Sequence, residues 1–272
     1  MKTLKDHVIL YDEACPMCQL YTKGFVKTGM LDQAGRAAYQ QMPEAFCGWV
    51  DTGRAVNEIA LVDKQTGKVR YGIESLFAIL QHAVPVLKPL FKCRPFAFLA
   101  ARAYGFISYN RRVIIPAAAD TAHPLQAPAF HRKYRSLYIL LAWLVTSSSL
   151  FYYSSFLNPI VPAGNFYREL ALCGGQVVWQ LLFVRLLHPR KAWDYLGNMM
   201  TISLAGAILL LLVASTGQLF SFKNPWLYVG VFGLTAGWML LEHVRRSRLL
   251  QMGLALTATW VLYRLLFLFL LF

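Results

Sequence analysis

The chain has 272 residues, enough for one modest soluble domain and a second segment of similar size. Apolar residues make up 57% of it and the mean hydropathy is +0.44, which excludes a wholly soluble globular chain. The net charge of +14 would suit a nucleic-acid binder, but its placement argues against one: the 15 Lys/Arg and 10 Asp/Glu before residue 131 form no basic stripe, and most of the 12 Lys/Arg beyond it flank apolar runs.

In chain order, residues 1–7 are polar and 8–11 are too short for the apolar core of a secretion signal, so the first half is expected to stay in the cytosol. Residues 7–12, apolar with β-branched members, predict a buried strand. Cys15-Pro16-Met17-Cys18 follows, then a helix to about Lys27. Residues 36–41 suit a second strand, 43–49 the opening of a helix, and 57–63 a third strand. A turn at 64–68 returns the chain through 69–72 as a hairpin partner. Helices are expected over about 73–83, 85–91 and 95–107. This first domain is bounded at 1–115, and a Pro/Ala-rich stretch at 116–130 reads as a linker.

Residues 131–272 carry only Glu169, Asp194 and Glu242 as acids and predict an all-α membrane domain. Five spanning helices are expected over about 137–157, 170–187, 195–216, 226–241 and 249–272. Most reach the ~20 residues a crossing needs, and the fourth is the short one. Nine of the twelve basic residues (Arg132, Lys133, Arg135, Arg185, Arg190, Lys191, Arg245, Arg246, Arg248) fall on flanks that lie inside if the N-terminus is inside. Arg168 and Lys223 fall outside and Arg264 lies within the last helix. The C-terminus is therefore expected outside.

The chemistry centres on the cysteine pair. At a strand-to-helix junction Cys15 meets the positive end of the helix dipole, which stabilises a thiolate. Pro16 suits the first helical turn, where its missing N–H had no partner. Cys18, one turn on, lies on the same face and can resolve a mixed disulfide formed at Cys15. Zinc is the rival for such a pair, but Cys47 and Cys93 are single and far apart and do not complete a four-ligand set. Asp12 either caps this helix or relays a proton to Cys18. His188 and His243 lie at the inner ends of the second and fourth expected helices, and two facing histidines can hold a haem, although interface histidines are usually just interface residues. Arg264 either snorkels or pairs with Glu169.

The expected order β-α-β-α-β-β-α, with the pair at the first junction, is that of thioredoxins. The segment Asp12-Glu13-Ala14-Cys15-Pro16-Met17-Cys18 resembles the DxxCxxC signature of the DCC family of predicted thiol–disulfide oxidoreductases, and residues 104–111, ending in Asn110-Arg111, resemble that family's closing segment. The likeness covers roughly residues 7–113. It implies a thioredoxin-like α/β fold with Asp12, Cys15 and Cys18 as signature positions. Asn110 and Arg111 would support them, Arg111 by pairing with a carboxylate or by facing the cysteines. Where thioredoxins carry a cis-proline before the third strand, Ala55-Val56-Asn57-Glu58 stands here.

The expected protein is thus a thioredoxin-like domain followed by a five-helix membrane domain. It would be a thiol–disulfide oxidoreductase on the cytosolic face of a membrane of bacterial inner-membrane type. It would need no bound cofactor or metal, because the dithiol carries two electrons. Its partners would be a cytosolic thiol or disulfide, protein or small molecule, and the lipid bilayer. The alternatives are a small transporter or channel with a redox-sensing domain, or a non-enzymatic membrane scaffold.

Overall fold

The structure, a computed structural model, describes residues 2–116, 129–162 and 164–271, the side chains of 268–271 aside. It divides into two compact units, Met1–Tyr134 and Arg135–Phe272.

The first unit is built on a four-stranded mixed sheet. Its elements run β1 (His7–Tyr11), α1 (Pro16–Lys27), β2 (Arg36–Ala38), α2 (Thr52–Ala55), β3 (Ala60–Asp63), β4 (Val69–Tyr71), α3 (Ile73–Ala83), α4 (Lys88–Lys92) and α5 (Arg94–Ile114). The strand order is β2-β1-β3-β4. β1 and β2 are parallel, with Ile9 opposite Arg36, while β3 runs antiparallel to β1, with Leu10 opposite Ala60, and to β4. Successive side chains of a strand leave on opposite faces. Val8, Leu10, Ala60 and Val62 accordingly pack with Tyr39, Phe46 and Val50, whereas Ile9 and Leu61 pack with Leu4, Leu31 and Ile79. Burial on both faces is why β1 and β3 read as continuous apolar runs. Gly67, at φ +69°, closes the β3–β4 turn, and its N–H donates to Asp63 O at 3.0 Å.

Several expected bounds shift, each for a visible reason. The second strand ends at Ala38, and Tyr39–Gln41 form a 3-10 turn. Residues 43–49 give only the 3-10 turn Glu44–Phe46. The third strand starts at Ala60 because the preceding backbone has partners outside the sheet. Val56 O and Asn57 O accept from Arg111, and Ile59 N–H donates to the Tyr104 hydroxyl. α5 continues past residue 107 to Ile114. The first unit extends beyond residue 115 because Tyr134 stacks on Tyr109 at 5.3 Å and its carbonyl accepts from Asn110 Nδ2 at 3.1 Å. The expected linker falls mainly on residues 117–128, outside the described residues.

The second unit is helical: α6 (Arg132–Ser154, its first turn in the first unit), α7 (Phe166–Leu187), α8 (Ala192–Leu219), α9 (Pro225–Leu249) and α10 (Ala255–Leu271). Among the described residues, four segments are long and apolar enough to cross a membrane, namely Arg132–Leu157, Phe166–Leu187, Pro189–Leu219 and Pro225–Leu249. The chain is an integral membrane protein by this measure. The fourth expected helix is not the short one. Its helix runs on through Glu242, which pairs with Arg245 at 2.6 Å and Arg246 at 2.7 Å, spacings that support a helix. The short helix is α10. Gln251 and Gly253, both at positive φ, break the chain after α9 and delay its start to Ala255.

Several buried polar groups of this unit pair across helices. Tyr195 OH donates to Gln180 Oε1 at 2.7 Å and meets His243 Nε2 at 3.0 Å, and His243 Nδ1 meets Thr257 Oγ1 at 2.9 Å. Both ring nitrogens of His243 are therefore engaged within the protein, and His188 Nε2 lies 3.3 Å from Met252 O. Glu169 pairs with Arg168 at 2.8 Å, not with Arg264, whose guanidinium lies over the Trp260 ring. Gly174 packs against Trp143 and Gly175 against Tyr263, whose hydroxyl donates to Leu172 O at 2.8 Å. Small residues allow that approach.

Candidate functional site

The site forms where β1 hands over to α1. After Tyr11 the chain turns through Asp12, whose Oδ1 accepts from Ala14 N–H at 3.1 Å, and Cys15 N–H donates to Asp12 O at 3.1 Å. This turn sets Cys15, not Asp12, as the N-cap of α1, with Pro16 at the first helical position. The expectation that Asp12 caps the helix is thereby corrected. A thiol takes the capping place: Cys18 N–H donates to Cys15 Sγ at 3.4 Å. An anion on that sulfur would face the unpaired amides and the positive end of the helix.

Asp12 works from behind the pair. It is buried, and its Oδ2 accepts from Arg111 Nη2 at 3.1 Å and from Arg112 Nη2 at 3.4 Å. Its Oδ1 also accepts from Gln40 Nε2 at 2.9 Å. Arg111 is buried too. Its Nη2 donates to Val56 O at 2.9 Å, and its Nη1 to Asn57 O at 2.9 Å and Ser108 Oγ at 3.2 Å. A buried guanidinium needs its charge matched, and Asp12 matches it; both terminal nitrogens are bonded, while Nε has no partner among the described residues. Asn110, its neighbour in sequence, donates to Phe106 O and Tyr134 O and so braces α5 instead of joining the thiols.

The electrostatics separate the two cysteines. The Cys15 thiol is lowered from the usual 9.0 to about 6. The first cause is the hydrogen bond from the Cys18 side chain, aided by the Cys18 N–H and the Arg111 charge. Burial and the Asp12 charge oppose it. Cys18 is raised, first by that same hydrogen bond, which would be lost on ionisation, and then by burial. Two thiols sharing one proton divide the roles in this way: Cys15 carries the charge and Cys18 keeps the proton. Both are free thiols and both are buried, Cys15 to 1% exposure.

Of the expected site residues the fold brings Asp12, Cys15, Pro16, Cys18 and Arg111 together. It adds three that sequence reasoning missed. Gln40 accepts from Glu13 N–H and donates to Asp12. Arg112 is the second cation on Asp12. Tyr21 places its hydroxyl against Cys18, and burial followed by the neighbouring Cys18 keeps that hydroxyl protonated. Only Tyr21 had a signal, being three residues beyond Cys18 on the same helical face. The exposed Cys47 and Cys93 and the buried Cys173 stand apart from the pair in sequence and carry no second CxxC.

Comparison of the chain with protein-family models, with curated proteins and with solved structures returned no match.

Proposed function

We propose that this integral membrane protein is a thiol–disulfide oxidoreductase whose N-terminal unit has a thioredoxin-like fold of the DCC type. The observation that carries the reading is the capping thiol: Cys15 at the start of α1, bonded by Cys18 and held near pKa 6. The parallel β1–β2 pair flanked by antiparallel β3 and β4 supports the fold assignment.

In this reading the Cys15 thiolate attacks a substrate disulfide. A Cys15–substrate bond forms, and the first substrate sulfur leaves as a thiolate and takes a proton from solvent. Cys18 then loses its proton and attacks the Cys15 sulfur, releasing the second substrate thiol. The substrate gains two electrons and two protons, and the protein is left with a Cys15–Cys18 disulfide. The dithiol is itself the redox group. Asp12 is a positioning residue, which holds the Arg111 charge near both sulfurs. The charge asymmetry of the flanking loops supports a cytosolic N-terminus, and an external C-terminus if α10 crosses as well. A plasma membrane of bacterial type fits that arrangement.

The burial of Cys15 favours small thiols and disulfides over folded protein partners, because a nucleophile must be reached in line. The test is mixed-disulfide trapping on the full chain in membranes, with a small aromatic disulfide and with insulin. Cys18→Ser should accumulate an adduct at Cys15, faster with the small disulfide, and Cys15→Ser should accumulate none. An adduct that forms equally well on Cys15→Ser would remove the assignment.

A further inference from the structure

Residues 85–107, spanning α4 and most of α5, contain no buried side chain, although they are rich in large apolar residues. Val86 is 84% exposed, Phe98 63% and Leu99 68%, and Leu90 and Ile107 are exposed with them. The segment is nonetheless folded onto the unit. Phe91 stacks on Phe77 of α3 at 4.4 Å, and Phe96 lies 6.1 Å from the same ring. The outward apolar side chains are thus presented from a fixed scaffold. Among them stand Lys88, Lys92, Arg94 and Arg102, all exposed, and the Arg102 guanidinium sits over the Phe98 ring at 5.1 Å. No Asp or Glu occurs between Glu74 and Asp120.

We propose that this α4–α5 face lies on the surface of the bilayer that the chain itself spans. Val86, Leu90, Phe98 and Leu99 enter the boundary between headgroups and acyl chains, and the four cations pair with anionic lipid phosphates. Exposed apolar side chains interspersed with Lys and Arg, in a segment without Asp or Glu, are the composition that binds an anionic interface. A second copy of the same face is a poor occupant, since it would set four cations against four with no carboxylate between them. The bilayer is also always at hand. Only residues 115–131 separate the end of α5 from the start of α6, a reach of at most ~60 Å. Tethering of that length makes even weak surface affinity effective. The proposal is independent of the redox chemistry.

Two exposed cysteines supply the probe. Cys93 lies between Lys92 and Arg94 within the face, and Cys47 lies outside the segment. The full chain, one copy per nanodisc, is treated with a water-soluble maleimide, and labelling is followed peptide by peptide. In discs of equal parts phosphatidylglycerol and phosphatidylcholine, Cys93 should react at least about tenfold more slowly than in pure phosphatidylcholine discs, while Cys47 should be unchanged. Lys88→Glu/Lys92→Glu/Arg102→Glu, or salt at about 0.5 M, should restore the Cys93 rate, with an unchanged Cys47 rate and a protected Cys18 reporting an intact fold. Equal Cys93 rates in both lipids, or protection that survives the charge reversal, would overturn the proposal.

Discussion

In the first unit a buried guanidinium, Arg111, and a buried carboxylate, Asp12, meet across 99 positions of sequence beside two thiols. In the second, Gln180, Tyr195, His243 and Thr257 join four helices through uncharged groups. Both arrangements satisfy buried polar atoms, but they do different work. A neutral network ties helices together where apolar contact alone is weakly selective. A buried ion pair projects a field onto its neighbours, and here those neighbours are sulfurs: the Cys18 hydrogen bond holds the Cys15 thiol down first, and the Arg111 charge adds to it while the Asp12 charge opposes it.

The comparison breaks most readily at Arg111. Arg111→Met leaves Asp12 buried beside the half-buried Arg112 alone, so the first unit should lose about 3–5 kcal/mol, read by urea unfolding of the full chain. Surviving protein should show a higher Cys15 pKa. Stability and thiol titration that both stay unchanged would mean that the pair projects no field.

The next test reads the field itself. Alkylation of Cys15 should rise through about pH 6 and level off well below the range of a free thiol. The sign follows from a folded value depressed below the unfolded 9.0. Cys15 adds stability to the reduced protein that is fully present above pH 9 and is lost as the pH falls through about 6. Cys18, raised, should label only after unfolding. A Cys15 profile that keeps climbing past pH 8 would contradict the assignment.

Smaller effects are expected in the helical unit. Tyr195→Phe removes the hydroxyl shared by Gln180 and His243 and should lower thermal stability by about 1–3 kcal/mol, with the Cys15 titration unmoved. Any shift of that titration would couple the two networks. Smallest of all is Cys173→Ala. The residue packs beside Gly174 and Gly175, and a lone cysteine has no partner for an internal disulfide. The rate at which an impermeant oxidant added outside changes the Cys15–Cys18 pair should be the same in the variant. A large drop would implicate Cys173 in electron transfer.

Much of the site was legible at Cys15 and Cys18 because the cue is local: an apolar strand, a short turn, then a proline that can only open a helix. The role of Asp12 was legible only in part. Its position beside the helix start suggested a cap, but the turn shortened by Ala14 N–H passed that role to Cys15. Arg111 was approachable through the Asn110-Arg111 resemblance, yet nothing near it in the chain pointed to Val56 and Asn57 as its acceptors. Gln40 gave no signal, since it takes its place only when the second strand stops early and turns.

By itself the sequence determined what depends on near neighbours. The hairpin, the helix that follows the cysteine pair and the apolar spans follow from periodicity, turn chemistry and composition within a few residues. Tertiary structure alone decided the sheet order, the Asp12–Arg111 pair, the onset of the third strand and the exchange of lengths between the last two helices. Each of these depends on which distant backbone or side-chain group satisfies a buried donor or charge. That choice is made by the packed chain as a whole, because an unpaired buried polar group costs more than the local preference that would have placed it elsewhere.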